Sequence, residues 1–234
     1  MMIVTTLALP VAWLIRWPAQ ENIHLPTAAE KKGNLSDWLQ VLDRPERRWL
    51  TVVGCLQLLS SGVILSTTAL FLKSLVPATN SPLMFGLGIA TLSGLLQGVR
   101  WSSDLAVGPI IGYLSDRFGQ PNTAILLASL SFCAVVGLAL LPPLLAVLAL
   151  FIVFLCDAGM STTLSAAASG AAIHAVRPNL FIGVFTTAGD AGSALGPLLA
   201  YALAATFGLP PLYLALSAVL LLAVLRYRSW AVGQ

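Results

Sequence analysis

Residues 122–172 read NTAILLASLSFCAVVGLALLPPLLAVLALFIVFLCDAGMSTTLSAAASGAA, and Asp157 is the single charged side chain among them. Two apolar runs, from about Asn122 to Leu141 and from about Leu144 to Ala172, meet at Pro142-Pro143. A proline pair interrupts helical hydrogen bonding and marks a turn. Each run reaches the roughly 20 residues that a helix needs to cross the hydrocarbon core of a bilayer. Neither alternates apolar and polar residues as a barrel strand would. A backbone in lipid must satisfy its own polar groups, so such runs are helices.

The same reading extends in both directions. Further spans are predicted at about Trp49–Leu72, Leu83–Leu114, Leu180–Phe207 and Leu212–Leu225. Turn signals separate them: Pro77 to Pro82, Gly119-Gln120-Pro121, Arg177-Pro178-Asn179 and Gly208-Leu209-Pro210-Pro211. The expected fold is therefore an all-α membrane protein. Its transmembrane domain of six helices covers residues 49–228, with a short cytoplasmic tail at 229–234.

Composition supports this reading. Of 234 residues, 58% are hydrophobic and 9% charged, with a mean hydropathy of +0.90. Soluble domains carry about 25% charged residues, so a soluble enzyme or a disordered regulator is excluded. The net charge of +3 comes without a basic stripe, which excludes nucleic acid as a partner. Instead the cations sort by topology. With the polar stretch before Trp49 placed in the cytoplasm, Arg16, Lys31, Lys32, Arg44, Arg47, Arg48, Arg117, Arg177, Arg226 and Arg228 fall inside. Lys73 alone falls outside, and Arg100 falls within a span. This is a strong positive-inside bias, and it predicts a multi-pass protein of the cell membrane. Cys55, Cys133 and Cys156 lie singly in apolar runs, as small buried hydrophobes do. His24 and His174 are far apart, so no metal site is expected, and no cofactor.

The N-terminal region differs. Residues 1–17 are apolar but short for a span, and Arg16 follows the run instead of preceding it, unlike a signal peptide. They read as the end of a preceding transmembrane helix. Residues 18–48 form a polar cytoplasmic linker. Within it Leu35, Trp38, Leu39 and Leu42 have helical spacing, which suits either an interfacial amphipathic helix or a solvated linker.

Between the second and third predicted spans lies Gly112-Tyr-Leu-Ser-Asp116-Arg117-Phe-Gly119. Gly112 would let helices approach closely. Asp116 and Arg117 would cap and charge the short loop at the membrane surface, and Gly119 with Pro121 would turn the chain. This loop resembles the cytoplasmic signature of the major facilitator superfamily, although Gln120, Pro121 and Asn122 stand where that pattern has basic residues. A second cadence is shared by Asp104-Leu-Ala-Val-Gly108-Pro109 and Asp190-Ala-Gly192-Ser-Ala-Leu-Gly196-Pro197. Both lie in the second helix of a group of three. That resembles the inverted three-helix repeats of the superfamily, with Gly108, Pro109, Gly192, Gly196 and Pro197 serving kinks and packing. The resemblance covers nearly the whole chain but only half a transporter: the end of helix six, the central loop, and helices seven to twelve. It implies a partner, either a missing N-terminal half or a second chain.

Four ionisable residues are expected within spans: Arg100, Asp104, Asp157 and Asp190. Charge in lipid costs at least about 2.5–3.5 kcal/mol per residue and marks function by default. Arg100 and Asp104 share a helix face at i, i+4. Asp157 or Asp190 could carry a proton, and Arg100 could bind an anion or pair with either aspartate. The structural alternative satisfies Arg100 with Asp104 and the lone aspartates with nearby Ser and Thr. Gln57 and Gln97 could line the same cavity or bond between helices. No Ser/His pair or HExxH motif occurs, so no enzyme is expected. The expectation is secondary active transport of a small-molecule substrate by alternating access, with proton coupling. The alternatives are an inactive truncated fragment and a non-transporting membrane subunit.

Overall fold

The computed structural model describes residues 40–75 and 88–231. All of them belong to one structural unit, Leu35–Gln234. The predicted apolar leader and most of the predicted linker lie outside the described residues.

All six predicted spans form helices: α1 (Pro45–Ser74), α2 (Ile89–Phe118), α3 (Gln120–Leu140), α4 (Pro143–Ile173), α5 (Pro178–Phe207) and α6 (Leu209–Ala231). Prolines mark several of their starts. Pro45, Pro121, Pro143 and Pro178 occupy first-turn positions, where a missing N–H costs nothing. Pro109 and Pro197 lie inside α2 and α5, within continuous helix. Gly119 and Gly208 make the shortest turns at positive φ, 84° and 80°, which side chains disfavour. The last helix runs to Ala231, three residues into the predicted tail.

α1, α3, α4 and α6 are long and apolar enough to cross a membrane. α2 and α5 are equally long, at 30 residues each, but are diluted by polar composition. These two are the second helices of the two predicted triads. The helix pairings obey the same equivalence. α1 packs on α5 and α4 on α2; α1 packs on α6 and α4 on α3; α3 meets α6, and α1 meets α4. Exchanging the first triad for the second maps this set of pairings onto itself, the contact pattern of two inverted repeats.

Two apolar cores occupy the two ends. One gathers Leu50, Val53, Leu127, Phe181, Val224 and Tyr227. The other gathers Val63, Phe71, Leu92, Val135, Phe154 and Tyr213. Between them, the middles of α1 and α4 contribute a polar layer. Arg47 marks the first end: it is buried and donates to the His174 carbonyl at 2.5 Å. It also pairs with Asp43 at 2.9 Å and lies over the Phe181 ring. The start of α1 and the end of α4 are thus tied together. The starts of α1 and α3 and the end of α4 line one cavity there.

Candidate functional site

α1 carries Gln57, Ser60 and Ser61 at mid-helix, on one face by the i, i+3, i+4 rule. All three are buried. They face α4 at Asp157, which interrupts an otherwise apolar helix. Gln57 Nε2 donates to Asp157 Oδ1 at 2.7 Å, and Ser61 Oγ donates to Oδ2 at 2.9 Å. From α2, Arg100 Nε donates to the same Oδ2 at 2.8 Å. Its Nη1 reaches Asp104 Oδ1 at 3.1 Å. The Arg100 side chain is 8% exposed and Asp157 13%, whereas Asp104 is 46% exposed. Arg100 also lies beside the Trp101 ring, 5.8 Å from its centroid. Arg100 thus bonds to Asp104 and to a second aspartate, Asp157. Beside this network is a cavity of about 20 Å³ lined by Ser60, Ser61, Ser131 and Asp157, room for about one water.

Asp190 stands apart. It is exposed at the middle of α5, and among the described residues its carboxylate has no hydrogen bond or ion pair. It lines a cleft of about 130 Å³ between α1, α4 and α5, with Gln57, Leu58, Ser165, Phe185 and Thr186. Gln57 borders both spaces. Gln97 reaches the Leu65 carbonyl only at 3.5 Å, an interhelical contact away from this cleft.

Glycines of α5 bring it against the α1 backbone beside the cleft, which Gly189 itself lines. A Cβ on Gly192 would run into the Cys55 carbonyl oxygen, and one on Gly196 would come within 2.8 Å of the Leu59 carbonyl oxygen. Gly54 gives way to the Phe185 ring, 2.7 Å from where its own Cβ would sit. Positions 54, 55 and 62 of α1 thus meet 185, 192 and 196 of α5, and the two helices run parallel.

The signature loop is arranged differently from expectation. Nothing lies within 4 Å of a Cβ on Gly112 or Gly108, so neither glycine serves close packing among the described residues. Asp116 sits in the last turn of α2 and caps neither helix; the residue preceding α3 is Gly119. The loop is held by Asn122 and Thr123, which donate to the Phe118 and Gly119 carbonyls at 2.8 and 3.1 Å. Arg117 lies over Phe118.

Sequence reasoning did not single out Ser61, Ser165, Phe185 or Arg47. Ser61 was accessible in principle, four residues from Gln57 on the same face. The others depend on helix crossings that spacing does not encode. Among the described residues, no group of three metal-ligating side chains occurs.

A family model described as MFS/sugar transport protein matches residues 1–227. No curated protein matches the chain.

Proposed function

Because the chain belongs to the MFS/sugar transport protein family, we propose that it moves a small solute across a membrane by alternating access, as one six-helix half of a transporter. One observation carries this reading. A mid-helix carboxylate, Asp190, with no bonding partner among the described residues, opens on a cleft lined also by Gln57, which is bonded to the buried ion pair. A charge left at membrane depth without a partner is costly unless it serves a pathway.

The roles divide accordingly. Asp157 accepts from Arg100, Gln57 and Ser61, and so fixes α1, α2 and α4 against one another. Asp190 is the solute-facing residue and the proton-pathway residue. The open face carrying Asp190 is covered by a further six-helix half, from the same polypeptide or from a second chain. The end carrying Arg44, Arg47, Arg117, Arg177, Arg226 and Arg228 faces the cytoplasm of the cell membrane, which the positive-inside rule supports.

The test is solute-driven proton flux in vesicles containing the chain with its other half, wild type against Asp190→Asn. Flux falling at least about tenfold in the variant, with unchanged membrane insertion, is the expected result. Undiminished flux removes Asp190 from the coupling role. Absence of any flux from wild type favours a non-transporting membrane subunit.

A further inference from the structure

We infer that the cleft at Asp190 is a recognition site for an organic cation, a protonated or quaternary amine head. The inference takes the solute cleft of the proposed function as its site and names the chemistry of what enters it. Among the described residues no Lys, Arg or His lines the cleft, and the one charged side chain there is Asp190. The nearest cation that the sequence offered, Arg100, is buried against Asp157 and Asp104 and does not border this space. An anionic solute would therefore meet a carboxylate with no counter-charge.

The wall excludes the other simple choice. A hard metal cation asks for about six oxygen ligands in a closed shell. Here the single carboxylate is accompanied by Leu58, Leu164 and the Phe185 ring, with the Gln57 amide group and the hydroxyls of Ser161, Ser165 and Thr186 as neutral polar groups, short of the anionic oxygen shell such a cation takes. That mixture suits an onium group: a carboxylate for its charge, an aromatic ring for its diffuse positive face, and apolar surface for its alkyl substituents. Gly54 is what allows the ring into the cleft, since any side chain there would displace it. A volume of about 130 Å³ admits a head the size of tetramethylammonium.

The experiment is equilibrium binding of radiolabelled choline and of 3,3-dimethyl-1-butanol, its uncharged counterpart in shape, to the full chain in lipid nanodiscs. Choline is expected to bind wild type at least about tenfold more tightly than the alcohol, one decade being about 1.4 kcal/mol. Asp190→Asn is expected to erase that preference. Asp190→Glu keeps it and controls for folding, together with unchanged thermal unfolding. Phe185→Leu lowers choline affinity about threefold or more. Equal binding of the two probes, no choline binding by wild type, or a preference surviving in Asp190→Asn each overturns the inference. Asp190-dependent binding without choline flux in vesicles sinks the transport reading and leaves the cation site standing. Choline flux that persists in Asp190→Asn does the reverse.

Discussion

The α1–α5 seam and the α2–α4 seam are counterparts in the two three-helix repeats, and they are closed by opposite means. At α1–α5, Gly62, Gly192 and Gly196 bring backbone onto backbone. Lipid tails are as apolar as leucine, so helices in a bilayer gain little from hydrophobic burial and much from such close van der Waals contact. At α2–α4, Gly159 receives the side chain of Ile111, and the Arg100–Asp157 ion pair spans the gap. The first seam can neither open nor slide without losing its fit. The second is held by long side chains that can follow a moving helix. α2 also presents Trp101, Leu105, Ile110 and Tyr113 outward, so its far side is free of this bundle. A repeat with one rigid and one adjustable seam has a built-in asymmetry between its two halves.

The ion pair gives the largest expected effect. Arg100→Leu alone leaves the Asp157 carboxylate buried without its counter-charge, a loss of about 3–5 kcal/mol, whereas Asp157→Leu costs less because Arg100 keeps Asp104. The double variant is expected to recover most of that, because two apolar residues replace two paired charges. Unfolding of purified protein in mild detergent, followed with increasing denaturing detergent, reads all three against wild type. Additive losses in the double variant would mean that the 2.8 Å contact does not hold the seam.

The rigid seam comes next. Gly192→Ala drives a methyl group into the Cys55 carbonyl, an obstacle made of backbone. The expected loss is about 1–3 kcal/mol, the range for overpacking. Gly159→Ala is the matched substitution on the other seam. Its Cβ would sit 3.1 Å from Ile111, a side chain that can change rotamer, so the expected loss is under about 1 kcal/mol. Equal losses at the two positions would erase the distinction between rigid and adjustable seams.

How much of this was legible in the sequence follows from the range of each interaction. Helices and turns are local, so the apolar runs and the Pro and Gly signals located all six elements, with bounds up to about six residues from those observed among the described residues. The Arg100–Asp104 pair was legible for the same reason, as an i, i+4 relation on one helix. The partner of Asp157 was legible only as one of two options, since Arg100 could have met either Asp157 or Asp190. It lies 57 positions away on α2 and is set by the crossing of α2 over α4. Gly192 and Gly196 stood out in the cadence shared with the second span, but what they touch is set by α1. Arg47 was counted as a loop cation, because nothing local distinguishes a charge in solvent from one folded back beneath Phe181. The predicted linker and leader before residue 40 lie outside the described residues.

The smallest expected effect is at Gly112, where the signature-loop resemblance and the packing diverge. The motif implies a tight helix approach, yet a Cβ there meets nothing within 4 Å. Gly112→Ala should therefore leave unfolding unchanged within about 0.5 kcal/mol, or raise stability by up to about 1 kcal/mol through better helix propensity. Gly192→Ala, on α5 as the counterpart of α2, cannot behave this way, because its methyl group has nowhere to go. If transport by Gly112→Ala with its other half present falls while the isolated chain keeps its stability, the surface that needs this glycine lies beyond the six described helices. A loss of stability in the isolated chain would instead place that contact within the bundle and make the two seams more alike than their geometry indicates.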